Sequence, residues 1–166
     1  MKCSCGQKMR PTRKPYPYRE SGLENVILTG IRVWQCPSGH QQPEIPNIEG
    51  LHRLIAKLLT QSRTRLRGPE IRYLRKFLGY AAKDFAKLLG VTPVTVSRWE
   101  NGAEEIGAPS ERLIRTLASF VANESARRDP KVVLHALMGL LPAGKPHAIR
   151  IRRASKGDDA LGWVAA

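Results

Sequence analysis

The chain has 166 residues, 28 of them Lys or Arg against 14 Asp or Glu, for a formal net charge of +14. With 42% hydrophobic residues it is too apolar to be a wholly disordered basic tail, and its length suits one medium domain or two small ones. No apolar run approaches the roughly 20 residues that span a bilayer. The opening Met1-Lys2-Cys3-Ser4-Cys5 lacks the apolar run of a secretory signal, so a cytoplasmic location is expected. The charge favours a polyanionic partner, most simply nucleic acid, through phosphate neutralisation and counterion release. A basic surface that only aids solubility is the competing reading.

Residues 1–46 hold all three cysteines and half of the twelve prolines. Val26-Ile27-Leu28 and Ile31-Arg32-Val33-Trp34 flank Thr29-Gly30, which reads as two short strands around a turn. A segment with so small a core needs a staple. From Asn47 the period becomes helical. Leu51, Leu54, Ile55, Leu58 and Leu59 follow helical spacing, with Asn47 as N-cap. The run from Thr60 to Gly68 reads as a basic linker. Pro69 then opens a helix through Leu78, Ala82 to Leu89 form a second, and Thr92-Pro93 begins a third that Gly102 ends. Pro109 starts a longer helix in which Leu113, Leu117, Phe120 and Val121 share a face. Asp129-Pro130 signals another short helix, carrying Val133, Leu137, Leu140 and Leu141. Ala148 to Arg152 alternates like a strand within a basic tail from 143 to 166 that has room for a small hairpin.

The most informative stretch runs from Leu78 to Gly102: two short helices joined at Leu89-Gly90-Val91. Ala86 is small where the helices cross, Gly90 bends the chain, and Val91, Val96 and Trp99 fill the core between them. Thr92, Pro93, Val94, Thr95, Ser97 and Arg98 are left facing outward near the start of the second helix. With its Val-Ser-Arg-Trp-Glu-Asn-Gly ending, this stretch resembles the phage-repressor (XRE, Cro-type) helix-turn-helix family. The resemblance implies that the second helix enters the major groove, with Arg98 as the best reader of a guanine edge. It also implies that Thr92, Thr95 and Ser97 touch phosphate or base, and that Asn101 meets the DNA backbone. The chain departs from the family at Ala81 and Ala82, where Ser-Gln is usual, and at Pro93 and Val94, where polar base-reading side chains are usual. A helical hairpin that merely packs in a bundle is the bland alternative.

Cys3, Cys5, Cys36 and His40 form a Cys-x-Cys pair and a Cys-x3-His pair, with Gly6 and Gly39 beside them for tight turns. Four soft or borderline ligands on two knuckles suit tetrahedral zinc. The alternatives are a degenerate site without metal and a redox pair at Cys3 and Cys5, against which Cys-x-Cys lacks the usual redox spacing. The N-terminal 46 residues, with the sequence through Ile55, resemble the YgiT-type zinc-finger domain fused to a helix-turn-helix in MqsA-like antitoxins. That family has Cys-x2-Cys at both ends; here Gly39 stands at a usual cysteine position and His40 follows it.

The expected architecture is mainly α: a small zinc-stapled, β-containing N-terminal domain and an all-α phage-repressor-like helix-turn-helix domain. The boundaries read as 1–46 for the zinc finger, 47–68 for a helix and basic linker, 69–125 for the DNA-binding domain and 126–166 for a short helix and basic tail. Arg63, Arg65, Arg67, Arg72, Arg75 and Lys76 form either a solvated linker or a set of phosphate contacts. His52 reads as a surface residue on the polar side of its helix, and His135 and His147 lack partners at ligand spacing. No catalytic triad, carboxylate pair or phosphate-binding glycine loop appears, so an enzyme is not expected. By resemblance, the protein is a homodimeric repressor of its own operon that binds double-stranded operator DNA and neutralises a cognate toxin, with no membrane partner. The competing readings are a zinc-stabilised regulator without a toxin and a protein-interaction adaptor.

Overall fold

The computed structural model describes residues 1–122, 148–154 and 162–165, which fall into two compact units. The first comprises residues 1–51 with the two C-terminal stretches, and the second residues 52–122. The helix expected after Asp129 lies outside the described residues.

The first unit is built from two small sheets. Strands β1 (Arg10–Thr12), β4 (Arg32–Gln35) and β5 (Gln41–Glu44) form an antiparallel sheet in the order β1-β4-β5. Strands β2 (Tyr16–Pro17), β3 (Val26–Thr29), β6 (Ile149–Arg153) and β7 (Trp163–Ala165) form the other, in the order β2-β3-β6-β7. Both strands expected around Thr29-Gly30 are present, but they belong to different sheets. Gly30 at φ +72° turns the chain from one sheet into the other.

The C-terminal stretch read as a basic tail supplies half of the second sheet. β6 runs parallel to β3, with Val26 opposite Ile149 and Leu28 opposite Ile151. Residues opposite one another share a face, so Val26, Leu28 and Ile151 are all buried there. The hairpin to β7 brings in Trp163, 1% exposed. Its Nε1–H donates to the carbonyls of Pro46 and Asn47, both at 3.1 Å.

Helix α1 (Ile48–Gln61) starts where expected, the Asn47 side chain accepting the Gly50 N–H at 3.0 Å. It is followed by α2 (Gly68–Phe77), α3 (Ala82–Leu89), α4 (Pro93–Glu100) and α5 (Ala108–Ala122). Ile71, Leu74, Phe85, Val96, Ile106, Ile114 and Ala118 make the core of the second unit.

One expectation changes in this unit. The stretch from Ser62 to Leu66, read as a linker, is held by a buried arginine. Arg115 of α5 donates to the carbonyls of Leu59, Thr60, Ser62 and Thr64 at 2.5–3.1 Å and pairs with Glu111 at 2.8 Å. Glu111 Oε1 also accepts the Leu66 N–H. The guanidinium thereby satisfies carbonyls orphaned at the end of α1. The apolar face of α5 grouped in the sequence is the outer one: Leu113, Phe120 and Val121 are exposed, while Glu111, Ile114, Arg115, Ala118, Ser119 and Ala122 point inward. Two apolar stripes share this helix, and a charged pair lies on the buried one, which hides it from a hydrophobicity pattern.

Candidate nucleic-acid interface and metal centre

Helices α3 and α4 pack together as the two arms of a helix-turn-helix. Gly90 closes α3 in the left-handed conformation, φ +67°, and the Val91 N–H returns to the Ala86 carbonyl at 3.0 Å. Phe85, Ala86, Val96 and Trp99 are buried between the arms and their neighbours, and Val91 is half-buried. Thr92 caps α4, its hydroxyl accepting the Thr95 N–H at 3.1 Å, and Pro93 occupies the first turn, where its missing N–H costs nothing.

The outer face of α4 carries the candidates from the sequence. Thr92, Pro93, Val94, Ser97, Arg98 and Asn101 are exposed and Thr95 is half-exposed. Val94 is 60% exposed. The Arg98 guanidinium lies 3.9 Å from Glu104 across the turn after α4, and both side chains are largely in solvent. Such a pair is weak, so Arg98 is available to another acceptor. Asn101 is fixed between Ser97, at 3.4 Å, and Arg72, whose Nη2 donates to it at 2.7 Å.

Arg72 and Arg75 therefore have a different occupation from the phosphate contact weighed for them. Both converge on Glu100, the last residue of α4: Arg75 Nε at 2.6 Å and Nη2 at 3.1 Å, Arg72 Nε at 3.1 Å. Arg75 also donates to the Tyr80 carbonyl at 2.8 Å. Burial alone would raise the Glu100 carboxyl, but Arg75 and then Arg72 overcome it and hold the group below the usual carboxylate range. This network locks α2 to the end of α4. Arg65, also counted in the basic run, pairs with Glu105 at 3.0 Å. Sequence reasoning missed Gly68, where an added Cβ would lie 2.5 Å from the Glu100 carbonyl oxygen and 2.7 Å from that of Trp99. The start of α2 thus rests directly on the end of α4. Only the absence of a side chain at the first position of α2 hints at this in the sequence.

The four residues chosen as metal ligands come together in the first unit. Their ligand atoms all lie within 4.8 Å of one another. His40 Nδ1 is 3.5 Å from both Cys3 Sγ and Cys36 Sγ, and Cys5 Sγ is 3.8 Å from Cys36 Sγ. A tetrahedron with Zn–S of about 2.3 Å and Zn–N of about 2.0–2.1 Å has edges of about 3.8 Å and 3.6 Å, so these spacings fit zinc. The two knuckles are alike. The Gly6 N–H bonds the Cys3 carbonyl and the Gly39 N–H the Cys36 carbonyl, both at 2.9 Å, with φ at +83° and +86°. Gln7, which sequence reasoning passed over, joins them by accepting from the Ser38 N–H and hydroxyl at 3.2 and 2.8 Å. The Cys3 thiol is lowered to about 6, first by the Cys5 backbone N–H and then by the Cys5 side chain, while the Cys5 thiol is raised, so the pair favours one thiolate at a time.

Residues 71–121 match the family model described as helix-turn-helix. The match runs from the fourth residue of α2 to all but the last residue of α5 and supports a DNA-binding helix-turn-helix regulator. No curated protein and no solved structure matches the chain. Among the described residues, no helix is long and apolar enough to cross a membrane.

Proposed function

We propose that the protein is a sequence-specific repressor that binds operator DNA as a homodimer and serves as the antitoxin of a type II toxin–antitoxin pair. The observation that carries the DNA-binding part is the outward face of α4. A capped, proline-started helix there presents Thr92, Thr95, Ser97 and Arg98 clear of the core. In this reading α4 enters the major groove, Arg98 donates two hydrogen bonds to a guanine, and Val94 packs on a thymine methyl. Thr92, Pro93, Thr95, Ser97 and Asn101 complete the contact surface. One short helix reads few base pairs, and a two-fold dimer doubles the readout. Leu113 and Val121, exposed on α5, support a surface for the second copy.

The N-terminal unit is read as a zinc-stapled module, with Cys3, Cys5, Cys36 and His40 holding the ion. Zinc would supply folding energy and no chemistry, because all four positions are filled by protein. The antitoxin role draws on the order of the two modules, metal cluster first and helix-turn-helix second.

Operator DNA selected from a random pool is the test, with Arg98→Ala as the variant. The variant should lose about 1–3 kcal/mol of binding and relax its preference at one base pair. Undiminished, equally selective binding would remove Arg98 from the role. A stable complex with the product of an adjoining reading frame is expected for an antitoxin; failure to form one leaves a regulator without a toxin.

A further inference from the structure

The first unit carries more cations than its own carboxylates neutralise. Among its described residues, ten Lys or Arg, all of them exposed, stand against four Glu. Glu44 pairs with Arg32 at 3.2 Å, and Glu20 accepts from the Tyr16 hydroxyl. Arg13 and Arg150 have no carboxylate partner among the described residues.

These two arginines flank one continuous run of chain. Along β3 and β4, Val26, Leu28, Ile31 and Val33 are buried, while Ile27, Thr29, Arg32 and Trp34 between them reach the surface. Arg150 is opposite Ile27 and Arg152 opposite Thr29, so both extend from the outer side of β6. On β4, Trp34 lies between Pro11 and Gln42, and Arg13 follows Thr12, the partner of Val33.

Trp34 sets the character of this side. The indole N–H of Trp163 is bonded within the protein and that of Trp99 is buried; that of Trp34 is neither, and its ring is half-exposed. Arg32, already neutralised by Glu44, lies 5.9 Å from the ring centroid, at the outer limit of a cation–π contact. The large exposed apolar side chains of this unit, Met1 and Ile48, lie outside the run, so it lacks the apolar patch of a protein-docking surface. An accessible aromatic ring among unneutralised arginines fits a flexible polyanion that offers flat apolar faces.

We propose that the outer side of β3, β4 and β6 binds single-stranded nucleic acid. Trp34 stacks on a base, and Arg13 and Arg150 take backbone phosphates. A duplex keeps its base faces stacked inside and cannot use the tryptophan. The site lies wholly in the first unit and does not rest on the reading of α4.

The test measures binding of the full-length protein to oligodeoxythymidylate and to oligouridylate, each of about ten nucleotides. A strand of equal length without bases, a duplex of unrelated sequence and polyglutamate serve as comparisons. The indole N–H signals of Trp34, Trp99 and Trp163, assigned by through-bond connectivity, are followed throughout. A single strand should shift the Trp34 signal saturably and leave Trp163 in place, and the tighter of the two strands names DNA or RNA as the ligand. The baseless strand should bind at least about tenfold more weakly, and Trp34→Leu should lose as much, as one stacked base implies. Arg13→Gln combined with Arg150→Gln should flatten the log–log salt dependence by about 1.4, two phosphates at about 0.7 each. An unmoved Trp34 signal or undiminished binding of the baseless strand would overturn the proposal. So would an equal Trp34 shift with duplex or polyglutamate, which would assign the face to double-stranded DNA or to an acidic protein. Trp34→Leu should bind operator as the parent does, so a failure of α4 to bind DNA and a failure of this site are read separately.

Discussion

Arg75 Nε and Glu100 Oε1 meet at 2.6 Å, with side-chain exposures of 12% and 7%. The pair ties the C-terminal end of the candidate recognition helix to α2, and Arg72 joins from the more exposed side. Removing one partner leaves the other buried and unneutralised. Arg75→Met should therefore lower unfolding stability by about 3 kcal/mol, the low end for a broken buried pair because Arg72 still screens Glu100. Arg72→Met should cost less, and urea denaturation that ranked the two the other way would contradict the assignment. Since the Glu100 carboxyl is lowered from its ordinary value of 4.5, its stabilisation is fully present above that value. It is lost as pH falls through the lower folded-state value, and Glu100→Gln should flatten this acid limb.

Gly68→Ala is the second prediction. Alanine is ordinarily the better helix residue by about 1 kcal/mol, so the sign depends on space. The added Cβ would meet two backbone carbonyls at 2.5 and 2.7 Å, and neither can swing aside as a side chain could. Net destabilisation of about 1–3 kcal/mol is expected, together with weaker DNA binding as α4 is displaced. A thermal melt showing equal or greater stability would refute the close approach.

The metal reading predicts about one equivalent of zinc per chain, lost on Cys36→Ser, with protons released on binding. Chelation should change the fluorescence of Trp34 and Trp163 in the first unit and leave the helical circular dichroism largely intact. Less than about half an equivalent in protein prepared with ample zinc would defeat a structural site.

Ending the chain at Pro146 should destabilise the N-terminal unit. It removes Ile151 and Trp163, both buried, and uncovers Val26 and Leu28. Each large side chain taken from the core represents about 1.5–3 kcal/mol of burial. Faster protease cleavage between residues 1 and 46, with the helical unit unaffected, is the expected result.

The local signals in the sequence were strong wherever one residue has one conformational job. Asn47, Gly90 and the Thr92-Pro93 pair mark their helix ends because capping and left-handed turns admit few residue types. The metal cluster was legible for the same reason: few side chains bind zinc. What escaped were relationships between distant segments. The pairing of β3 with β6 depends on residues more than a hundred positions apart, and alternation in Ile149-Arg150-Ile151 cannot name its partner strand. The inward face of α5 was not legible because Glu111 and Arg115 look like surface charges until their partners are known. The basic run from Arg63 to Lys76 looked uniform, although Arg75, nearly buried, and Arg72, more exposed, both brace Glu100.

Because β6 pairs alongside β3, the chain leaves one sheet after β3, forms the helix-turn-helix, and comes back to the same sheet. The helix-turn-helix segment is topologically an insertion rather than an appended module. A single break in the chain between α5 and β6 would not free the two pieces, since the strand ladder between β3 and β6 would still clasp them. Intact covalent connection and intact assembly are thus separate properties of this protein.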